Sequence, residues 1–370
     1  MRCSVSGGGT GGHVYPALAV ARALRDERRD VELDYIGGVR GFERRLVASH
    51  ELRHDLRYHE LIVRSLRSAG LSVQTVLDPV RLAASVPQAM WLLGRLRPAA
   101  LFTTGGYLAV PLVLAARALG IPSLVWEGNV LPGRATRAVG RLATRVAVSF
   151  PPTMEAFPAN GFVSGTPIRS FAGIDREAAR RSFGVGPEDR LLLVFGGSQA
   201  VARLSAATRD ALPRLVADWH VLHLCGEAGM ADAGAARQAL PEAVRTRYLP
   251  EPFLTDRMAD ALVGADLVVG RAGSSTCAEL AAVGVASILV PYPYAGAHQR
   301  YNAAYLADEG AAVMVADEDL DAQRLAAEAS ALLDDDRRHA MGRAARALGR
   351  PDAAADLAAE LVRLAGGGAA

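Results

Sequence analysis

The chain follows one local plan twice, once in each half: a short strand, a glycine turn, then a helix. Arg2–Ser6 runs into the turn Gly7–Gly12, and Leu191–Phe195 runs into Gly196-Gly197-Ser198-Gln199, with a helix from about Val201. Pro16 marks the start of the first helix, because its missing N–H costs nothing at a first helical position. Val31–Ile36 reads as the next strand, ended by Gly37 and Gly38. A second pair of segments echoes as well. Leu101–Gly106 leads through a helix to Gly120 and a strand at Ser123–Trp126. Leu267–Gly270 leads through Gly273–Thr276 and a helix to Gly284 and a strand at Ser287–Val290. Gly106 and Gly120 are spaced as Gly270 and Gly284 are. This alternation predicts an α/β chain of two Rossmann-like, doubly wound domains.

The junction reads at Pro151–Pro167, where Pro151-Pro152, Pro158, Asn160-Gly161 and Gly165-Thr-Pro167 supply turn chemistry. The domains are expected at 1–163 and 164–350. Pro351 opens a last amphipathic helix, 351–366, expected to pack back on the first domain, and the tail from Gly366 reads as disordered.

Composition removes several functions. All 41 basic residues are arginine, with no lysine anywhere. A P-loop needs a lysine on the phosphates and a pyridoxal enzyme needs one for its Schiff base, so both are excluded. The net charge of +2 predicts no nucleic-acid partner. Cys3, Cys225 and Cys277 form no metal spacing and read as reduced, buried thiols. No apolar run is long enough to span a bilayer, and the N-terminus has no signal-peptide pattern, so a cytosolic chain is expected.

Gly7-x-Gly9-x-x-Gly12 fits the dinucleotide fingerprint, but a dehydrogenase also places an acid at the carboxyl end of the second strand. Here Glu32 and Asp34 lie inside that strand and Gly37-Gly38 end it, which argues against nicotinamide or flavin. His13, at a helix start, suits a neutral imidazole that accepts a proton near pH 7. Gly196-Gly197-Ser198 and Gly273-Ser274-Ser275-Thr276 place N–H groups and hydroxyls at helix starts, which suits a diphosphate. Glu279, one turn further, can accept hydrogen bonds from ribose hydroxyls. The aromatic loop from Pro291 ends in His298-Gln299 and Asn302, groups that can bond sugar hydroxyls. Asp317–Asp319 and Asp334–Asp336 read as solvated helix starts or a helix end rather than metal ligands.

Taken in order, Gly8–Pro16, Thr104-Gly-Gly-Tyr107, Glu127-x-Asn129, Gly165–Arg169, Gly196–Gln199, Arg271-Ala-Gly-Ser…Glu279 and His298-Gln299…Asn302 resemble the MurG family. These enzymes add N-acetylglucosamine to undecaprenyl-pyrophosphoryl-MurNAc-pentapeptide (lipid I), giving lipid II. The resemblance implies the GT-B fold, two Rossmann-like domains facing across a cleft, and an inverting transfer that uses no cofactor or metal. UDP-N-acetylglucosamine is then expected mainly on the C-terminal half. Ser198 and the Gly273, Ser274, Ser275 and Thr276 turn would hold its diphosphate. Glu279 would take the ribose, and Gln299 with His298 the sugar. Arg169 would face the donor, and the Leu254-Thr255 region would meet the uracil. Thr10, Gly11, Gly12 and Asn129 would close the site from the acceptor side, with His13 the first choice of base and Glu127 the second.

Two departures from the family stand out. Trp126-Glu127-Gly128-Asn129 replaces a frequent His-Glu-Gln-Asn, which is expected to alter the acceptor side, and Ala200-Val201 replaces Gly-Ala. A lipid acceptor implies peripheral contact with an anionic membrane surface on the cytoplasmic face. The segment Leu77–Arg97 fits that role, with Leu77, Val80, Leu82, Val86, Met90, Trp91 and Leu92 beside Arg81, Arg95 and Arg97. A related transferase with another acceptor, a UDP-sugar epimerase of the same architecture and a non-catalytic UDP-binding module remain alternatives.

Overall fold

The computed structural model describes residues 1–39, 42–63, 73–196, 202–254, 256–293 and 298–367, with the backbone alone described at 42, 73–81 and 83. It divides into two compact units, Met1–Ile168 with Pro351–Ala370, and Arg169–Arg350.

The first unit is built on a parallel sheet of β1 (Arg2–Ser6), β2 (Glu32–Gly38), β3 (Leu56–Leu61), β4 (Ala100–Thr103), β5 (Ser123–Glu127), β6 (Arg145–Val148) and β7 (Gly161–Val163), in the order β3-β2-β1-β4-β5-β6-β7. The second unit repeats the plan. Its strands β8 (Leu191–Phe195), β9 (His220–Leu224), β10 (Tyr248–Glu251), β11 (Leu267–Gly270), β12 (Ala286–Leu289) and β13 (Val313–Met314) are ordered β10-β9-β8-β11-β12-β13. Every pairing in both sheets is parallel, so each strand must be followed by a crossover and both faces are covered. That explains why β4, β8 and β11 read as nearly unbroken apolar runs. In both units the order reverses beside the first strand, between β1 and β4 and between β8 and β11. The α/β, doubly wound expectation holds for both.

Several local expectations are corrected. The first helix, α1, runs Gly11–Glu27, so Pro16 lies inside it rather than at its start. The glycines themselves form the first turn, and the buried Pro16 only forgoes donation to the Gly12 carbonyl. The echo between halves holds at the helix stops, where Gly120 and Gly284 both take positive φ (68° and 71°). It does not hold at the starts, since one helix begins at Gly106 and the other at Ser274. The junction is shorter than the turn chemistry suggested. Pro151–Ala156 is a 3-10 helix, Phe157 is buried against Gly140 and Gly161, and β7 adds an edge strand. Residues 164–166 also stay with the first unit, because Trp126 Nε1 donates to Gly165 O (3.0 Å) and Thr166 Oγ1 bonds Ser149 Oγ (2.8 Å).

The last helix, Ala353–Gly367, belongs to the first unit and includes Gly366, so that residue is not part of a disordered tail. Its Leu357, Ala358, Leu361 and Leu364 share one core with Val14, Leu18 and Leu24 of α1. The three cysteines are buried and free, and burial raises the thiol of Cys3 to about 11 and that of Cys277 to about 12.

In the second unit a buried polar network lies beside the apolar core. His223 on β9 bonds Tyr248 Oη through Nδ1 (2.8 Å) and Ser205 Oγ through Nε2 (3.0 Å), and burial lowers its pKa to about 4. The folded chain therefore keeps this ring neutral at a pH where the unfolded chain protonates it. The associated stability is intact above about pH 6.5 and is lost as pH falls toward 4. Between pH 7 and 5, His223 should cost the second unit roughly 2 kcal/mol. Urea unfolding at the two pH values, followed through Trp219 in a variant whose Trp91 and Trp126 are replaced by Phe, should show this drop, and His223→Gln should remove most of it.

Candidate active site

In an open parallel sheet, ligands gather at the carboxyl ends of the strands where the order reverses. The strands end level there: Ser6 lies opposite Thr103, and Phe195 lies opposite Gly270. Each unit delivers its candidate residues from three neighbouring strands, β1, β4 and β5 in the first and β8, β11 and β12 in the second.

In the first unit the loop after β1 passes close under α1. A Cβ at Gly7 would come within 2.3 Å of the His13 carbonyl oxygen, so only glycine fits. Thr10 caps α1 in an extended conformation, its carbonyl accepting from His13 N (3.0 Å) and Val14 N (3.1 Å). Gly11 and Gly12 form the first turn, which contains no acid. The half-buried His13 places Nδ1 2.7 Å from Thr104 O, and Thr104 Oγ1 donates back to His13 O (2.9 Å). A carbonyl only accepts, so Nδ1 carries the proton and the neutral ring holds its lone pair on Nε2. That tautomer suits a general base, and the two bonds join the loops that follow β1 and β4.

Glu127 ends β5 and is 4% exposed. Its Oε1 accepts from Asn129 N and Nδ2 (both 3.1 Å), and its Oε2 accepts from Gly133 N (3.0 Å). Both oxygens accept bonds that shape the 128–133 loop. Trp126, where the family pattern differs, points into the core of the first unit at 1% exposure, and its indole N–H bonds Gly165 O.

In the second unit, Gly273 caps the Ser274–Val283 helix, whose first turn has no acid and carries the half-buried Ser274, Ser275 and Thr276. N–H groups at an unneutralised helix start suit a phosphate. Glu279 on the same helix is nearly buried and accepts from Arg169 Nε (2.8 Å, Oε1). Burial raises the Glu279 pKa, partly opposed by Arg169. The pair leaves a carboxylate oriented one turn beyond the helix start, where hydroxyl groups can donate. Gln299 lies in the first turn of the His298–Asp308 helix, and its Oε1 accepts from Tyr292 N (2.9 Å). Asn302 is fully buried and donates to Ala272 O (3.1 Å), which ties this helix to the loop after β11.

Ser198, Thr255, Ala200 and Val201 lie outside the described residues. Asp317 is not a solvated acid: it pairs with the buried Arg271 (2.5 Å), which also donates to Val290 O (3.1 Å).

Glu43 stood in none of the sequence motifs. It is fully buried, and its carboxylate gathers Gly38 N (2.7 Å), Tyr107 Oη (2.9 Å) and Gly9 N (3.2 Å). An acid in a first helical turn is commonplace, so its spacing carried no signal.

Comparison with known proteins fits this geometry. Residues 4–148 match the family model for the glycosyltransferase family 28 N-terminal domain, and residues 191–357 match that for the C-terminal domain. The UDP-N-acetylglucosamine–N-acetylmuramyl-(pentapeptide) pyrophosphoryl-undecaprenol N-acetylglucosamine transferase of Desulforudis audaxviator is 38% identical, covering 100% of both chains. The enzyme of the same name from Xanthomonas campestris pv. campestris is 41% identical over 98% of this chain and 81% of its own. The crystal structure of Acinetobacter baumannii MurG matches with a TM-score of 0.80 at 28% identity, covering 98% of this chain and 99% of that one.

Arg169→Ala should weaken binding of a nucleoside diphosphate about tenfold, the loss of roughly one charge-assisted hydrogen bond. The affinity should also become more sensitive to acid, because Glu279 without its arginine takes up a proton at higher pH. Calorimetric titration with UDP at pH 8 and pH 6 measures both effects.

Proposed function

The chain belongs to glycosyltransferase family 28, within the MurG family, and on that premise we infer that it transfers N-acetylglucosamine from UDP-N-acetylglucosamine to lipid I, forming lipid II for peptidoglycan synthesis. The observation that carries the reading is the unneutralised helix start at Gly273–Thr276, followed one turn later by Glu279 held on Arg169. That pairing matches the two polar parts of a UDP leaving group, its diphosphate and its ribose.

The transfer is an inverting displacement. The 4-hydroxyl of the acceptor MurNAc attacks the anomeric carbon. A carbon–oxygen bond forms as the bond from that carbon to the β-phosphate oxygen breaks, and UDP leaves with the electron pair. His13 Nε2 takes the hydroxyl proton, with Nδ1–H held on the Thr104 carbonyl. The negative charge growing on the diphosphate is met by the N–H groups and hydroxyls of Gly273, Ser274, Ser275 and Thr276, assisted by Ser198. Glu279 receives the ribose hydroxyls, Arg169 holds that carboxylate and opposes the rise that burial gives its pKa, and Leu254-Thr255 meet the uracil. Gln299 and His298 hold the donor sugar. On the acceptor side, Glu127 shapes the loop that carries Asn129, next to Thr10, Gly11 and Gly12.

The acceptor's lipid tail calls for peripheral docking on the cytoplasmic face of the membrane. No helix among the described residues is long and apolar enough to cross a membrane. The docking face is narrower than the sequence suggested. Leu92 joins Leu93 in the core, and the side chains of Leu77, Val80 and Arg81 lie outside the described residues. Trp91 (63% exposed) and Met90 (38%) project outward from the helix Val73–Leu96, and Arg95 lies over the Trp91 ring at 5.6 Å. Arg44 and Arg53 line an adjoining groove of about 540 Å³. An exposed indole among arginines suits an interface with anionic headgroups.

UDP release should require a short-chain lipid I analogue and should persist in EDTA. Donor binding without analogue-dependent release would point to a different acceptor. In the same assay His13→Ala should lower kcat by about 10²–10⁴-fold, the range of general-base catalysis, with the donor KM little changed. Unchanged turnover would remove His13 from the proton-transfer step. Trp91→Ala should weaken co-sedimentation with anionic vesicles at low salt while leaving UDP affinity as it was.

A further inference from the structure

Glu43 is a fully buried carboxylate whose bonded partners among the described residues are N–H and O–H groups rather than a cation. It sits in the first turn of the helix Phe42–Ser49. Its Oε1 accepts from the N–H of Gly38, at the end of β2, and from the hydroxyl of Tyr107, in the first turn of the Gly106–Ala118 helix. Its Oε2 accepts from the N–H of Gly9, in the turn after β1. One side chain thus joins three loops at the carboxyl ends of β2, β1 and β4. The fit is close: a Cβ at Gly8 would lie 2.9 Å from Glu43 Oε1, and one at Gly38 would lie 2.8 Å from Tyr107 Oη.

The surroundings favour this arrangement. Tyr35 Oη donates to Gly7 O (2.6 Å) and its ring stacks on Tyr58 (centroids 5.8 Å apart). Burial, and next the Glu43 charge, push the Tyr35, Tyr58 and Tyr107 hydroxyls well above their ordinary range, so they stay protonated. Burying a carboxylate is costly unless charge-assisted hydrogen bonds offset its desolvation. Here all three partners are donors, and they approach both oxygens. A glutamine can satisfy only one side: its NH₂ would face either Gly9 N–H or the Gly38–Tyr107 pair. A carboxylate alone meets the whole set.

Gly9 takes φ +89° and stands four residues before His13. Its N–H is the point where Glu43 grips the turn that leads into α1. We propose that Glu43 is a positioning residue, which holds the Gly7–Gly12 loop and through it fixes Thr10 and His13 for the transfer step. The effect on turnover rests on the reading under Proposed function. The grip on the loop does not, and it is measured separately.

The test compares Glu43→Gln and Tyr107→Phe with the wild type in the full chain. Glutamine retains two bonds at Oε1 by turning its NH₂ toward Gly9, so it releases that N–H selectively. Amide hydrogen exchange across residues 9–13 should then speed up about tenfold or more, while exchange in β4 and β5 stays near wild type. In the UDP-release assay kcat should fall about tenfold or more with the donor KM within about twofold, as expected for lost positioning rather than lost binding. Tyr107→Phe keeps the Gly9 bond and should show the smaller change in both measurements.

Unchanged exchange at 9–13 in Glu43→Gln would overturn the proposal, as would faster exchange with unchanged kcat. Equal acceleration across the first unit would also overturn it, since that marks general destabilisation. If the glutamine variant does not fold, Glu43→Asp, which keeps both acceptors on a shorter stem, is judged by the same criteria. Should the wild type transfer nothing to lipid I, the functional reading fails, and the exchange measurement alone still decides whether Glu43 holds the loop.

Discussion

The structure depends on one constraint: in each unit two parallel strands, adjacent in space but separated in sequence, must end level where the sheet changes direction. Ser6 opposite Thr103 and Phe195 opposite Gly270 meet it. Level ends bring two loops and two helix starts together, and the backbone N–H groups of those starts are oriented before any ligand arrives. In the first unit the bond between the His13 ring and the Thr104 carbonyl closes this meeting point. In the second, the carboxamide of Asn302 reaches back to Ala272 O and ties the helix after β12 to the loop after β11.

Three buried carboxylates lie near these meeting points, and their partners give them different work. Glu43 and Glu127 are held by N–H and O–H donors and shape backbone. Glu279 is held by a guanidinium at one oxygen, and burial still raises its pKa. A carboxylate whose bonds are all internal is a structural anchor. One poised between burial and a single arginine gains most when ribose hydroxyls add their own hydrogen bonds to it. Arginine suits this position because its charge persists at any working pH.

What the sequence made legible is what short-range chemistry decides. The glycine turns, the apolar runs of the parallel strands and the helix starts at 273–276 all follow from neighbouring residues, and so did the doubly wound architecture. The helix from Gly11 shows the limit of such rules: Pro16 signals a start, but the helix has already begun on Gly11 and Gly12. Side chains whose partners are remote in sequence were misread or missed. Asp317 looked solvated until Arg271, 46 residues away, met it. Trp126 is buried, and its indole reaches Gly165, 39 residues away within the same unit. Glu43 had an unremarkable place at a helix start, and its partners come from three other segments.

The same architecture used twice explains how one chain can divide two tasks. Both units place glycine turns and helix starts at the reversal, so both can receive polar groups without metal-ligating side chains. The difference lies in what each adds to the shared frame. The first adds an imidazole whose tautomer is set by a backbone carbonyl, an arrangement suited to moving a proton. The second adds hydroxyls in an acid-free first turn and a carboxylate steadied by arginine, an arrangement suited to a phosphorylated nucleoside. Neither addition disturbs the sheet, because both are carried on loops and first turns beyond the strand ends. Chemistry at such positions can differ between two units while the packing beneath them stays alike.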